Sequence, residues 1–177
     1  MSRLPSAVAV VTTLDGENHP RGFTCTSLCS ASLQPPLVIT CVQNGSRTLA
    51  AAKARGSFAV NILHAGGHYA ADLFASLVED KFARISWRPG PALGLPWLTC
   101  DAAVLVECTV VAVHAAGDHH VLLGLAESAV RAEGEVPRTP LLYCRRSYGS
   151  WPAEEDGAEL RKARRGPVAR VAAAGAW

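Results

Sequence analysis

Aromatic side chains, net charge and long apolar runs are all scarce in this sequence, and each shortage excludes a class of protein. Aromatic residues make up 6% of the chain and hydrophobic residues 49%, so the core must consist mainly of aliphatic side chains. The formal charge of +2 gives no electrostatic reason to expect a nucleic-acid ligand. No apolar run approaches the roughly 18 residues that a membrane-spanning helix needs. We therefore expect a cytoplasmic protein that does not cross a membrane.

The familiar nucleotide and metal motifs are also missing. The sequence has no Gly-x-Gly-x-x-Gly fingerprint, no P-loop, no His-Glu-x-x-His and no Gly-x-Ser-x-Gly. Among six histidines and six cysteines, the only adjacent pair is His119 and His120, whose side chains would point to opposite faces of a strand. We therefore expect no metal centre. Because most cysteines lie in strand-like apolar runs, reduced thiols are favoured over the disulfides that an even count permits.

Aliphatic and β-branched runs separated by Gly, Pro, Asp and Asn predict a chain made mainly of short strands. The predicted strands are 8–13, 22–27, 37–42, 58–63, 103–114, 119–130 and 141–144. Two helices are predicted, one over 49–55 and one over 69–78 with the apolar face Tyr69, Leu73, Phe74 and Leu77. Segment 81–100 is expected to be irregular, and 115–118 to close a hairpin.

Hairpin-connected strands without β-α-β alternation predict a mainly β fold, a closed antiparallel Greek-key barrel with a few short helices. We expect a single domain over 1–151. The tail 152–177 is polar or small and has no core stripe, so we expect it to be mobile or peripheral.

Hydroxyl side chains are concentrated between Thr24 and Thr48, and Ser46, Arg47 and Thr48 stand directly before the first predicted helix. A helix N-terminus presents free N–H groups and a partial positive charge. Two hydroxyls and a guanidinium beside it would make a phosphate site without a glycine-rich loop. The alternative is that Ser46 or Thr48 only caps the helix while Arg47 is solvated. These residues alone leave both interpretations open.

Three other polar positions are each explained by structure when taken singly. Gly117-Asp118-His119 is a polar hairpin turn with a histidine beside it. Lys81-Phe82 is typical of a lysine stem lying along a core ring. Tyr148 lies in what we expect to be an irregular end.

The order and spacing of all these segments resemble the flavin reductase family, the NAD(P)H-dependent reductase components of two-component flavin monooxygenases. The matching segments run from about Pro5 to Tyr148 and are VAVVTTLDG, GFTCTSLCSASLQPPLV, SRT, FAVNIL, DKFARISWRPG, GDHHVLLG and LLYCRRSYG. The resemblance implies an FMN-binding split barrel and a homodimer with the flavin near the subunit interface. It also implies a separate monooxygenase that receives the reduced flavin.

The resemblance assigns roles to individual residues. Thr26 and Ser27 match positions that contact the isoalloxazine and ribityl groups, and Cys41, Val42 and Gln43 match a strand end whose backbone hydrogen-bonds the flavin. Ser46, Arg47 and Thr48 match the phosphate site, and Lys81 and Phe82 match a further flavin contact. His119 and Tyr148 match residues near the nicotinamide.

The expected activity is hydride transfer from NADH or NADPH to FMN or FAD, with His119 as the catalytic residue that orients the nicotinamide or stabilises charge on the reduced flavin. The choice within each cofactor pair stays open. Two alternatives remain, a flavoredoxin-like electron-transfer protein with tightly held FMN and a barrel that serves only as an interaction domain. Members of the family usually carry a longer segment before the first strand, and the residues after Trp151 have no counterpart in the resemblance.

Overall fold

The computed structural model describes residues 3–132 and 139–150, so the predicted tail 152–177 lies outside the described residues. Over the described ranges no helix is both long and apolar enough to cross a membrane. The chain is mainly β, as predicted. Its strands are β1 (Ser6–Ala7), β2 (Ala9–Leu14), β3 (Pro20–Cys25), β4 (Cys29–Leu33), β5 (Pro36–Gln43), β6 (Ser57–Leu63), β7 (Arg88–Pro89), β8 (Pro96–Trp97), β9 (Ala102–Ala116), β10 (His119–Arg131), β11 (Leu141–Cys144) and β12 (Ser147–Ser150). Its helices are α1 (Arg47–Arg55), α2 (His68–Ala75) and a 3₁₀ turn (Phe82–Arg84).

Seven strands form one antiparallel sheet in the order β3-β2-β6-β9-β10-β5-β4. Its two edge strands, β3 and β4, are consecutive in the chain and are linked only by residues 26–28. So short a link spans at most about 14 Å, which brings the two edges near each other and curls the sheet. Within the described part of the chain no backbone ladder joins β3 to β4, so the closed barrel that we predicted is not confirmed.

The core is aliphatic, and β2 contributes to it from both faces. Ala9 and Val11 pack with Phe58 in the cluster inside the curled sheet, whereas Val8 and Val10 pack against α2 in a second cluster. This alternation follows the two-residue period of a strand, and it explains why all six residues of β2 are buried. β2 therefore fixes α2 on the outside of the sheet, next to β3.

Five strands were not predicted from the sequence, and they are β1, β4, β7, β8 and β12. The clearest case is β4, whose sequence CSASL shows no apolar alternation and whose side chains are mostly exposed. It is a strand because it pairs with β5 along the sheet edge. A local sequence pattern does not predict such a strand, because the strand forms only by pairing with another strand.

The β9–β10 hairpin is tighter than predicted. The ladder extends to the pair Ala116 and His119, so the connection is the two residues Gly117 and Asp118 rather than 115–118. Gly117 has a φ of +65°, a left-handed conformation that glycine adopts without steric cost. This turn places His119 at the very start of β10.

Helix α2 is shorter than predicted, and Leu77 does not belong to its apolar face. The Ser76 hydroxyl donates to the Leu73 carbonyl at 2.7 Å and accepts from the Val78 N–H at 3.3 Å, which ends the helix. Leu77 is consequently 98% exposed. Tyr69 is also exposed, so only Leu73 and Phe74 of the predicted face are buried.

The predicted irregular segment 81–100 is held by one buried carboxylate. Glu107 on β9 is fully buried and accepts the backbone N–H groups of Ala92, Leu93 and Leu95 at 2.8, 3.0 and 3.1 Å. At Gly90 a Cβ would lie only 2.4 Å from the Glu107 carboxyl carbon, so glycine is required there. The segment therefore has a defined conformation, with β7 paired to β8.

Candidate functional site

Three adjoining depressions run along β3, and we call them together the β3 groove. The central one, of about 280 Å³, is lined by Phe23, Thr24, Cys25, Thr26, Ser27, Cys41, Gln43 and His119. One end, of about 200 Å³, lies at the start of α1 and also includes Phe23. The other end, of about 360 Å³, lies beside Tyr148 and shares Thr24 and Thr26 with the centre. The shared residues show that the three depressions adjoin one another along β3.

Ser27 closes the gap between the link 26–28 and β5. Its hydroxyl accepts the Cys41 N–H at 2.9 Å and donates to the Cys41 carbonyl at 3.2 Å. The Ser27 side chain thereby satisfies both the N–H and the C=O of Cys41, which face the link 26–28. By the alternation of an antiparallel strand, Gln43 directs its N–H to the same edge.

His119 enters the central depression from the opposite strand. The β5–β10 register pairs His119 with Gln43, and this pairing brings two sequence-distant segments together. The Asp118 carboxylate lies 2.7 Å from His119 Nδ1, so this nitrogen carries a hydrogen. The hydrogen bond from His119 is the main reason that the pKa of Asp118 lies below its usual value.

At the α1 end, Ser46 is the N-cap residue and its hydroxyl accepts the Leu49 N–H at 3.4 Å. The cap interpretation is therefore correct for Ser46. The first intrahelical bond runs from Ala50 N–H to Ser46 C=O, which leaves the N–H groups of Arg47 and Thr48 without an intrahelical partner. The Arg47 side chain is 66% exposed, with Nη1 4.0 Å from Glu79 Oε1.

Lys81 adds a second cation to this end of the groove. Its Nζ donates to the Phe74 carbonyl at 2.9 Å and lies 5.9 Å from the centre of the Phe74 ring. Burial and then the charge of Arg47 lower the pKa of Lys81. Phe82 packs edge-on against Phe74 with ring centres 5.0 Å apart. Because the positive charges of Lys81 and Arg47 repel each other, an anion bound between them would be stabilised by both.

At the other end, Tyr148 lies on β12 rather than in an irregular segment. Its hydroxyl donates to Asp72 Oδ1 at 2.8 Å. Burial, followed by this hydrogen bond and the charge of Asp72, raises the pKa of Tyr148 to about 12. The phenol therefore stays protonated at neutral pH and binds α2 to the end of the described chain.

Eleven of the twelve predicted site residues line the groove, namely Thr26, Ser27, Cys41, Gln43, Ser46, Arg47, Thr48, Lys81, Phe82, His119 and Tyr148. The exception is Val42, whose side chain is 1% exposed and belongs to the inner core. This fits a role through its backbone alone. Residues that the sequence did not indicate also line the groove, and they are Arg21, Phe23, Asp72, Glu79 and Arg146.

Two of the six cysteines have thiols whose pKa is raised by burial. All six are free thiols, as predicted. Burial raises the pKa of Cys25, whose sulfur accepts the Thr40 hydroxyl at 3.4 Å. Cys108, in the inner core, has its pKa raised to about 12. Both thiols stay protonated at neutral pH.

Comparison with known proteins gives a consistent result. A model of the flavin reductase like domain matches residues 1–152. The chain is 46% identical over 159 residues to the flavin reductase (NADH) of Kitasatospora aureofaciens, covering 88% of this chain and 81% of that protein. It is 40% identical over 143 residues to HsaB, the reductase subunit of a flavin-dependent monooxygenase in Mycobacterium tuberculosis, covering 81% and 74%.

A solved structure is similar throughout the fold. It is the NADH:FAD oxidoreductase SgcE6 of Streptomyces globisporus in complex with NAD and FAD fragments. The TM-score is 0.76 at 31% identity, and the match covers 86% of this chain and 89% of that one.

Proposed function

The chain belongs to the flavin reductase-like family, and on this premise we propose that it is an NAD(P)H:flavin oxidoreductase that supplies reduced FMN or FAD to a partner monooxygenase. The observation that supports this most directly is that the depressions of the β3 groove adjoin one another. An anion-binding end at α1 and an imidazole on β10 lie along one surface of a single domain. A flavin nucleotide has the same layout, because its phosphate and its redox-active ring are joined by an extended ribityl chain.

The α1 end binds the flavin phosphate. The free N–H groups of Arg47 and Thr48, the hydroxyls of Ser46 and Thr48 and the Arg47 guanidinium all donate hydrogen bonds, which fits a phosphate. Lys81 adds positive charge from the opposite wall, and Phe82 fixes that wall by packing on Phe74. The capping bond of Ser46 is compatible with this role, because it uses only the Leu49 N–H.

The central depression binds the flavin ring. Thr26 and Ser27 line one side, and the ends of β5 line the other. Since Ser27 already satisfies both backbone groups of Cys41, Gln43 supplies the free backbone donor of this strand end, with Val42 between them in the core. A flavin held by these residues would supply the hydride acceptor for NAD(P)H. The protein contributes alignment of the two rings and removal of water between them.

The nicotinamide lies between His119 and Tyr148, over the shared residues Thr24 and Thr26. His119 donates from Nδ1 to Asp118, which leaves Nε2 to accept a hydrogen bond that orients the nicotinamide or, when the ring carries a second proton, to stabilise charge on the reduced flavin. Tyr148 is held by Asp72 and stays protonated, so it acts as a fixed polar wall and exchanges no proton near neutral pH.

The groove is open to solvent, which favours a flavin that exchanges. Arg47 is mostly exposed, and Glu79 lies close enough to compete with an anion for it. These features support release of the reduced flavin to a separate monooxygenase, and the HsaB relative is named as the reductase subunit of a flavin-dependent monooxygenase. We place the enzyme in the cytoplasm, where NAD(P)H is available, as a homodimer of closed split barrels with the flavin near the subunit interface.

The test measures NADH and NADPH oxidation with FMN, with FAD and with no added flavin. A turnover rate that rises with free flavin is expected, and the same data determine which flavin and which nicotinamide are preferred. No turnover with any combination would refute the proposal. Stoichiometric FMN that stays bound through purification, with no dependence on added flavin, would instead indicate the flavoredoxin-like electron-transfer protein.

A further inference from the structure

Asn44 connects two segments of the groove that lie more than 70 residues apart in sequence. Its side-chain Nδ2 donates to the Gly117 carbonyl at 3.0 Å, and its Oδ1 accepts from His120 Nδ1 at 2.7 Å. Its backbone N–H donates to the Asp118 carbonyl at 2.9 Å. Because a carbonyl can only accept, the amide orientation is fixed, and His120 Nδ1 must carry the hydrogen. All of these bonds reach the β9–β10 turn or the residue beside His119.

The turn that Asn44 holds is the support of His119. Gly117 and Asp118 are the only residues between β9 and β10, and His119 is the first residue of β10. Its imidazole is further fixed by Asp118, through the 2.7 Å contact at Nδ1. A shift of this two-residue turn would therefore move the His119 ring directly, since no other residue separates them.

Asn44 also lies next to the anion-binding end. It is followed by Gly45, with a φ of +77°, and by the N-cap Ser46, whose N–H donates to the Gln43 carbonyl at 3.2 Å. Asn44 thus lies in the short segment that connects the end of β5 to the start of α1. Its side chain is exposed and contacts neither depression wall, so its bonds hold protein to protein.

We propose that Asn44 is a positioning residue for hydride transfer, which acts by holding the Gly117-Asp118 turn so that His119 faces the nicotinamide. The proposal rests on the proposed function. Asn44 touches neither cofactor, and its whole effect on catalysis passes through His119. His120 takes part as the second anchor of the same amide.

The test is a double-mutant cycle with Asn44→Ala and His119→Ala, measured as kcat/KM for NADH or NADPH at saturating flavin. Displacement of a catalytic group by a fraction of an ångström to one ångström lowers rates by about 10-fold to 100-fold, and we expect Asn44→Ala to fall in this range. FMN affinity, measured by flavin fluorescence without nicotinamide, should change less than about threefold. The double variant should be no slower than His119→Ala alone.

Two variants separate positioning from general stability. Thr109→Val removes the 2.8 Å bond from Thr109 to Glu127 on the same hairpin, far from the turn, and should leave kcat/KM unchanged. Asn44→Asp keeps the acceptor for His120 and loses the donor to Gly117, so it should lower kcat/KM without unfolding an exposed site. Independent losses that multiply in the double variant, or an equal loss in Thr109→Val, would overturn the proposal.

A spectroscopic measurement keeps this proposal separate from the proposed function. The imidazole nitrogen spectrum of His119 should show hydrogen on Nδ1 in the unmodified protein and an averaged tautomer in Asn44→Ala. Failure of the unmodified protein to oxidise NAD(P)H would refute the proposed function and with it the role in hydride transfer, whereas a changed His119 spectrum in Asn44→Ala would still show that Asn44 positions the His119 ring. An identical His119 spectrum in both proteins would refute the role of Asn44, whatever the activity.

Discussion

Replacing Arg47 with alanine should weaken binding of FMN and leave binding of riboflavin almost unchanged, because the two ligands differ only in the phosphate. A charge-assisted hydrogen bond contributes about 1.5–3 kcal/mol when it is shielded from water. Arg47 is 66% exposed, so solvent screening reduces this contribution. We expect a loss of about 1.4 kcal/mol, which is a tenfold increase in the Kd for FMN.

Flavin fluorescence titrations measure both affinities under the same conditions. Arg55→Ala is the matched control, because it removes the same charge from the last turn of α1, where Arg55 contacts Asn18 at 3.2 Å. That control should leave both affinities unchanged. Added salt should weaken FMN binding in the unmodified protein and have a smaller effect in Arg47→Ala.

Two results would refute this reasoning. Equal losses for FMN and riboflavin would place Arg47 beside the ring or show that α1 had moved. A loss of equal size in Arg55→Ala would mean that overall charge, and no local phosphate site, determines FMN affinity.

Three further predictions test other parts of the structure. His119→Ala should chiefly impair NAD(P)H oxidation and leave flavin binding detectable, and equal loss of both would contradict its role; His114→Ala, an exposed histidine on β9, is the control. Glu107→Gln should lower the free energy of unfolding by about 3 kcal/mol in urea titrations, because an amide cannot accept all three N–H groups that the carboxylate does; the exposed Glu127→Gln should have little effect. Since the pKa of Tyr148 is raised from 10.0 to about 12, the stability that its protonated form provides is complete below about pH 10 and is lost as the pH rises towards 12. Tyr148→Phe should therefore lose less thermal stability over that interval than the unmodified protein, and an unchanged pH dependence would contradict the assignment.

Local pattern predicted the elements whose stability is local. The β-branched run of β2 and the Ala-rich α1 both occur where the sequence placed them. Leu77 was wrongly assigned because helical spacing continues past Ser76, while the hydroxyl of that serine ends the helix. β4 was missed because only its pairing with β5 makes it a strand. Propensity gives no information about either a side-chain cap or a distant partner strand.

The residues of the candidate site also divide into those that local sequence predicts and those that only the pairing of distant segments brings together. The start of α1 was found from Ser46, Arg47 and Thr48 alone, because capping and anion binding need only adjacent residues. The meeting of Gln43 with His119 depends on the β5–β10 register and came only from the family resemblance. Glu107 did give a signal that went unused, a single carboxylate inside a long apolar strand. A charge in such a place indicates a buried set of donors.

The hydroxyl of Ser27 also has a consequence for solubility. An uncovered strand edge is a template on which another chain can add a strand, and such edges promote aggregation. Before the start of β4, the N–H and C=O of Cys41 on the facing strand β5 would form such an edge, but Ser27 occupies both. One serine thus blocks intermolecular strand addition there while keeping the space above β5 clear for a small ligand, which a longer β4 would fill.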